Sequence, residues 1–169
     1  MTANFPWPQW AAAGIAIAVT PRLDLYGGFR WTDWSAFNEL KITLTEIAST
    51  VDKLNLSDGI SVHAGAAWQL ANRVMLRGGF SYDSNTVPDK VASRAYLDMD
   101  KFTLAVGVSV RLWGGWYTDL AYEVLFAPPR DVPDRIVQQP NAVTGVLQDV
   151  HVNQSPGKYS WTMHSIALA

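Results

Sequence analysis

Apolar side chains occupy every second position of residues 101–126, KFTLAVGVSVRLWGGWYTDLAYEVLF, on both sides of a Trp-Gly-Gly-Trp turn. This alternation is typical of β-strands with one apolar face, because successive side chains of a strand point to opposite sides. Two strands in the same phase around a glycine turn predict an antiparallel hairpin. The pattern leaves open whether the apolar face contacts a protein core or the hydrocarbon of a membrane. The apolar face holds Phe102, Leu104, Val106, Val108, Val110, Leu112, Trp116, Leu120, Tyr122, Val124 and Phe126.

Two further hairpins and a final strand follow the same pattern. The alternating segments are residues 10–19 with 23–31, residues 60–70 with 74–82, and a less regular seventh strand over Lys158–Leu168. In each hairpin three residues connect one apolar position to the next, so the two strands stay in phase. A three-residue loop favours a left-handed third residue, which Gly115 adopts more easily than Arg22 or Arg73. The sequence therefore predicts an all-β fold of about seven antiparallel strands with tight turns at one end.

The segments between the hairpins are long and polar. Residues of roughly 45–59, 83–100 and 127–157 are rich in Pro, Asp and Asn and show no sustained period. Short turns at one end and long loops at the other are typical of outer-membrane barrels. The predicted strands exceed the mean of about five or six residues in soluble proteins and match the roughly 9–11 that cross a bilayer. These features favour a transmembrane β-barrel segment, and a soluble or surface-attached β-sandwich that binds a hydrophobic ligand or a protein partner is the alternative.

Composition excludes several classes of function. The net charge of the 169 residues is −2, and no basic stripe indicates nucleic-acid binding. No cysteine is present, which excludes disulfides and thiolate metal sites, and no run of 18 apolar residues predicts a transmembrane helix. The histidines lack metal-ligand spacing, and no serine lies in a nucleophile elbow. We therefore expect no metal, no cofactor and no enzymatic activity, with an outer-membrane enzyme of lipid metabolism as a third and unsupported alternative.

Several short segments resemble one family in order and spacing. Arg30–Phe37 (RWTDWSAF) is similar to a W-x-x-W-S-x-F segment at the end of a family strand. Arg73–Asp83 resembles a strand ending in an aromatic residue and an aspartate, and Ser84–Asp89 resembles the D-x-S-P-V-P loop that follows. Arg94 and then Asp98–Phe102 are similar to the R…P-D-x-D-R segment before the next strand. The chain thus resembles the C-terminal half of the FadL/TodX (OMPP1) outer-membrane transporters over residues 5–126.

The resemblance implies a part of a fourteen-stranded barrel in the bacterial outer membrane that passes long-chain fatty acids or other hydrophobic molecules by passive diffusion. In that family an N-terminal hatch plugs the lumen, so we interpret residues 1–169 as a single partial β-barrel domain without the hatch and the first strands. Seven strands leave open edges, which are unfavourable in lipid. We expect either the remainder of the barrel or a second copy of the chain to close them, in contact with outer-membrane lipid.

Charged residues on the face opposite the apolar one are the candidate ligand-binding residues of the lumen: Arg77, Arg111, Asp119 and Glu123. Pairing across the Gly-Gly turn is expected to bring Arg111 near Tyr117 or Asp119. Arginines contact carboxylates through a fork of two hydrogen bonds, so Arg77 and Arg111 are candidates for binding a fatty-acid head group. The alternative is a structural network of ion pairs that stiffens the lumen. Ser109 lies on the same face, where we expect substitution by arginine to be mild.

Apolar residues in the predicted loops are candidates for capturing a hydrophobic ligand outside the membrane. Val87, Tyr96 and Leu97 are the members of this set that we regard as candidate ligand contacts. The alternative is that these side chains pack the loops against one another.

Overall fold

A computed structural model of the chain describes residues 2–3, 7–37, 39–44, 48–53, 55–89, 91–92, 97–134, 136–140, 147–151 and 156–169. These residues form twelve strands and one turn of 3-10 helix at Trp34–Ala36. The strands are β1 (Thr2–Ala3), β2 (Trp10–Thr20), β3 (Leu23–Thr32), β4 (Glu39–Leu44), β5 (Ala48–Lys53), β6 (Gly59–Ala71), β7 (Val74–Asp83), β8 (Lys101–Arg111), β9 (Tyr117–Val132), β10 (Ile136–Pro140), β11 (Leu147–His151) and β12 (Gly157–Leu168). Within this part of the chain, no helix has the length and apolarity to cross a membrane.

One antiparallel sheet contains seven of these strands in the order β12-β9-β8-β7-β6-β3-β2. The prediction of about seven long antiparallel strands is therefore confirmed, including the seventh at the C-terminal end. Each strand pairs with its neighbours along the chain, and the sheet does not close on itself: β2 and β12 are its two edges. The tight turns all lie at one end, and the connections that contain β4–β5, residues 84–100 and β10–β11 lie at the other.

The register places the predicted apolar positions on one face. Phe102 pairs with Phe126, Leu104 with Val124, and Val106 with Tyr122. The apolar face is exposed: Val106, in the middle of its strand, keeps 61% of its surface accessible. In the described residues, the strands of the sheet pack against their hydrogen-bonded neighbours, and no second layer covers this face. A β-sandwich needs such a layer, because its core lies between two sheets.

Two of the tight turns differ from the prediction in a simple way. Thr20 pairs with Leu23 and Ala71 with Val74, so two residues rather than three form each turn. Val19 and Leu70 are the extra residues of adjacent bulges. The bulge takes up the odd residue and keeps the strands in phase, so the turn needs no left-handed arginine. Among the described residues Asn55 is the non-glycine residue with positive φ, and Gly115 is left-handed as expected, at φ 84°.

The loop end is more ordered than the sequence indicates. Hairpins β4–β5 and β10–β11 lie in or next to segments predicted to be loops, and β9 continues six residues past the predicted strand end at Phe126, to Val132. Strands of five or six residues hold too few apolar positions for a period to stand out from chance. They belong to two separate small sheets, β1-β4-β5 and β10-β11, so the order of the seven-stranded sheet is unchanged.

Candidate functional site

The face of the sheet opposite the apolar one, called here the polar face, carries the predicted lumen residues. Ser109 pairs with Asp119, Arg111 with Tyr117, and Ala105 with Glu123, so these positions alternate with the apolar ones. On the neighbouring strands, His63 of β6 lies over Gly28 of β3. A Cβ atom at position 28 would come within 2.3 Å of the imidazole Nε2 atom. The histidine ring therefore occupies the space of a side chain at position 28, and a larger residue there would displace the ring.

A cavity of about 480 Å³ opens on the polar face at the end with the tight turns. We call it the turn-end cavity; its lining residues are Gln69, Asn72, Arg73, Met75, Arg77, Ser109, Arg111, Tyr117 and Asp119. They come from β6, β7, β8, β9 and the β6–β7 turn, which the antiparallel order of the sheet brings together. Three of the four predicted lumen residues meet here, whereas Glu123 lies farther along β9 and does not line the cavity.

Asp119 is the centre of a hydrogen-bonded group on the floor of the turn-end cavity. Its Oδ1 atom accepts a hydrogen bond from the Ser109 hydroxyl and lies 3.4 Å from Nη1 of Arg77. Ser109 keeps only 7% of its surface exposed, so it is not the exposed position that the prediction of a mild arginine substitution assumed. A larger side chain would displace the Ser109–Asp119 contact and bring a second cation beside Arg77.

Arg111 has a different partner from Arg77. Its guanidinium carbon lies 5.8 Å from the centre of the Tyr117 ring, a distance suited to a cation–π contact. Within the described part of the chain no ion pair involves Arg73 or Arg111. Three guanidinium groups and one carboxylate therefore line the turn-end cavity, which gives it a net charge of +2.

Arg73 is a lining residue that the sequence analysis did not select. It lies in a predicted turn, and turn residues are usually solvated and without a specific role. Its carbonyl accepts a hydrogen bond of 2.8 Å from the backbone N–H of Arg111, which ties the β6–β7 turn to the end of β8. The predicted order of hairpins already places this turn beside Arg111. Arg73 could have been selected from the sequence on that ground.

A second concavity lies nearer the loop end of the polar face. It measures about 550 Å³, and its polar lining consists of Arg30, Ser61, His63, Ser81 and Asp83. The Ser61 hydroxyl donates to Asp83, and the guanidinium of Arg30 lies 5.7 Å from the ring centre of Trp10. Polar groups therefore follow the polar face from one end of the strands to the other.

The candidate loop residues lie at the other end of the strands. Val87 is buried in a small apolar cluster with Ala92 and Val132, and Leu97 packs against that cluster. Tyr96 lies outside the described residues. In this structure Val87 and Leu97 hold loop residues together beneath the surface, and a role for them in ligand capture stays a prediction.

Arg130 fixes the loop between β7 and β8. Its side chain is only 11% exposed, and its guanidinium donates to the Asp89 carboxylate at 2.7 Å, to the Asn85 side chain and to the carbonyls of Val87 and Asp98. A planar guanidinium with five donors can satisfy several acceptors at once, which a lysine cannot. The arginine thereby connects the start and the end of this loop to β9.

Asp98 closes the same loop from the other side. Its carboxylate accepts hydrogen bonds from the backbone and hydroxyl of Thr86 and from Nζ of Lys101 at 2.6 Å. Burial by itself raises the pKa of Asp98, but the hydrogen bonds from Lys101 and Thr86 outweigh it and hold the pKa below the ordinary value. The ionised carboxylate is therefore part of the folded loop.

Metal-binding chemistry has no support in the part of the chain that the structure describes. No group of three His, Asp or Glu side chains there is arranged to hold a metal ion. Asp98 and Asp100 instead accept hydrogen bonds from Thr86, Lys101, Tyr82 and Asn85.

A long antiparallel sheet with an exposed apolar face and a charged opposite face defines the wall of a transmembrane β-barrel. A family model described as outer membrane protein transport protein (OMPP1/FadL/TodX) matches residues 1–152. The chain belongs to this family, as the sequence resemblance predicted, and its location is the bacterial outer membrane.

Individual relatives agree with this assignment. The long-chain fatty acid transport protein of Escherichia coli (strain K12) is 26% identical over 110 residues, which cover 64% of this chain and 24% of that protein. Outer membrane protein P1 of Haemophilus influenzae is 23% identical over 157 residues, 89% of this chain and 34% of that protein. The crystal structure of a Pseudomonas aeruginosa FadL homologue shares the fold at a TM-score of 0.70 and 17% identity, over 95% of this chain and 34% of that chain. The chain thus spans about a quarter to a third of the length of these relatives.

Proposed function

We propose that this chain forms part of the wall of an outer-membrane channel that passes long-chain fatty acids or similar hydrophobic molecules by diffusion. The observation that carries the proposal is the polar face, on which two cavities lie one after the other between the loop end and the turn end. Family membership supports the same reading, because the E. coli relative is named a long-chain fatty acid transport protein.

The loop end is the entrance in this proposal. Hydrophobic molecules first contact apolar loop residues such as Val87, Tyr96 and Leu97, and then enter the lumen along the polar face. Arg77, Arg111, Asp119 and Glu123 line the path, where water and the Arg77–Asp119 ion pair keep it polar while the tail of the ligand passes. The remaining wall of the barrel comes from further strands that pair with β2 and β12.

Uptake by whole cells tests this function. Cells that lack the gene and cells that produce the full-length protein are supplied with a radiolabelled long-chain fatty acid, with and without a protonophore. We expect uptake to require the protein, and the step across the outer membrane to be insensitive to the protonophore because diffusion needs no energy source. Equal uptake by both strains would contradict transport of fatty acids, and entry into the periplasm that stops with the protonophore would contradict diffusion.

A further inference from the structure

One histidine interrupts the apolar face of the sheet. The cross-strand row that contains His164 of β12 runs through all seven strands, and its other members are Val124, Leu104, Phe80, Ala64, Gly27 and Ile15. The imidazole is therefore the single polar side chain in this row of the described sheet. It lies inside β12, away from both strand ends. An ionisable residue at membrane depth is costly unless it is paired, so its partners indicate its role.

Tyr122 satisfies one of the two ring nitrogens of His164. The tyrosine Oη lies 2.6 Å from Nδ1. A neutral imidazole has one N–H donor and one acceptor nitrogen. When the tyrosine hydroxyl donates to Nδ1, the ring proton is on Nε2, and one donor of the pair remains. The opposite tautomer leaves both the tyrosine O–H and the Nε2 lone pair unpaired in hydrocarbon, which is more costly. Among the residues that the structure describes, none accepts a hydrogen bond from Nε2.

The remaining donor of His164 is directed away from β9. The two nitrogens of an imidazole ring point in diverging directions, and Nδ1 is directed at Tyr122 on β9. On the other side of β12 lies an edge of the sheet, where the backbone groups are unpaired. In a bilayer a further strand has to pair with them. In antiparallel pairing, the residue directly opposite His164 lies on the same face, with the two Cβ atoms about 4.5–5.5 Å apart.

We propose that the strand that pairs with β12 places a hydroxyl side chain (Ser, Thr or Tyr) on the lipid face beside His164, where it accepts the Nε2–H hydrogen bond. A hydroxyl can accept this bond and still donate its own proton to a nearby backbone carbonyl, so no polar group is left over. A carboxylate would bring a charge into hydrocarbon, and a carboxamide would bring further donors that need partners. The occupant of this edge is therefore a strand of the same barrel. The proposal depends on the barrel wall and not on what the channel carries.

The hydrogen-bonded trio selects one register for that strand. A slip of one residue is excluded by the alternation, but a slip of two residues keeps every apolar side chain on the lipid face. Such a slip moves the hydroxyl about 7 Å along the strand and leaves the Nε2–H group unpaired. A single polar contact among apolar residues specifies register in coiled coils in the same way. His164 thus determines how the barrel wall continues beyond β12.

NMR spectroscopy of the full-length protein tests the contact without any destabilising substitution. The protein carries isotope-labelled histidine and is reconstituted in vesicles of protonated or chain-deuterated lipid, and the His164 signal is assigned by its loss in His164→Gln. We expect a neutral ring with the proton on Nε2 and a through-space contact from this proton to a Ser, Thr or Tyr of the strand that pairs with β12. Removing that hydroxyl should shift the proton signal upfield. Thr162→Val, on the same strand and face, is the matched control and should leave the signal unchanged.

Pairs of introduced cysteines measure the register. One cysteine replaces Ile166, on the same face as His164, and the other lies on the facing strand, either directly opposite or two residues away. We expect the protein with His164 intact to form a disulfide in one of these two arrangements. His164→Leu keeps the lipid face apolar and should allow both arrangements, whereas Thr162→Val should keep the single one.

The outcomes separate this proposal from the proposed function. A contact of the Nε2 proton with lipid signals alone, a contact between differently labelled copies, or a ring proton on Nδ1 would each overturn the hydroxyl partner. A single disulfide arrangement in His164→Leu would overturn the role in register. If His164→Leu does not fold, the spectrum of the wild-type protein decides. Failure of fatty-acid uptake would overturn the transport proposal and leave this contact in place, because the contact needs only the wall of the barrel.

Discussion

Single residues on the two faces of β8 respond differently to charge. Val106 lies on the exposed apolar face, where hydrocarbon surrounds it, and Ala105 lies on the polar face opposite Glu123. Arginine in place of a lipid-facing residue near the bilayer midplane costs about 2–4 kcal/mol of folding free energy. We expect Val106→Arg to lose stability in this range and Ala105→Arg to lose far less, because the new guanidinium has water and Glu123 within reach. Denaturant unfolding of the full-length protein in lipid vesicles measures both, and equal losses would argue against a lipid face.

One polar pair on the apolar face carries its own prediction. Tyr122 and His164 lie on the face shared with Val106, and the tyrosine Oη lies 2.6 Å from Nδ1 of the imidazole. In hydrocarbon neither group has water as a substitute partner, so each satisfies the other. We expect Tyr122→Phe to destabilise the folded protein by about 1–2 kcal/mol. The double variant Tyr122→Phe/His164→Phe should recover most of the lost stability, because both polar groups are then gone. Additive losses of stability in the double variant would disprove the pairing.

The loop between β7 and β8 is expected to lose order at low pH, because the carboxylate of Asp98 holds it. The folded pKa of Asp98 is lowered by its hydrogen bonds, so its contribution is complete above the unfolded value of about 4 and is lost as the pH falls through the lower folded value. We expect hydrogen exchange of residues 84–89, 91–92 and 97–100, corrected for the intrinsic pH dependence, to accelerate below about pH 4 while β8 stays protected. Asp98→Asn should give fast exchange in this loop at neutral pH as well. A loop equally protected at pH 3 and pH 6 would contradict the role of Asp98.

The elements also show what the sequence can and cannot predict. Alternation over ten or more residues defines β8 and the paired face of β9, because every register error would move a whole row of apolar side chains to the other face. The final strand β12 alternates poorly since a register shift between Tyr159 and Trp161 changes its phase, and since Thr162 and His164 occupy apolar-face positions.

Contacts between distant loops could not be predicted from the alternation of apolar residues in the sequence. Arg130 appears in the sequence as one charged residue in a polar stretch, and its four acceptors lie more than thirty positions away along the chain. The turn-end cavity was predicted in part, because the register across the Gly-Gly turn places Arg111 opposite Tyr117. Arg73 was missed because the position of a turn side chain depends on the bulge beside it.

At the scale of the whole molecule, strand direction limits what can close the sheet. Seven antiparallel strands in chain order leave β2 and β12 running the same way, from the loop end to the turn end. If a second copy has its loops on the same side of the membrane, its β2 would therefore run parallel to β12 of the first copy. Barrels of this kind are antiparallel throughout, so the added segment has to begin and end with strands that run from the turn end to the loop end. We thus favour the remainder of the barrel over a second copy as the closing partner.

This preference is testable with the 169-residue chain itself. We expect two differently tagged copies, refolded together in non-ionic detergent, not to form a defined closed dimer. Light scattering gives the mass, and resistance to denaturation in SDS without heating reports closure. A homogeneous dimer that resists SDS would show that two copies do close the barrel with parallel contacts, and would overturn the argument from strand direction.

The most direct test of the account measures which face of β8 contacts lipid. The chain contains no cysteine, so a single cysteine can replace each residue from Thr103 to Val108 in turn without any native cysteine to remove first. Spin labels at these sites in the full-length protein, reconstituted in vesicles, report accessibility to oxygen in hydrocarbon and to a water-soluble nickel complex. We expect oxygen accessibility at 104, 106 and 108 and nickel accessibility at 103, 105 and 107. Low accessibility to both reagents at the even positions would mean a buried protein core, and would contradict the transmembrane barrel.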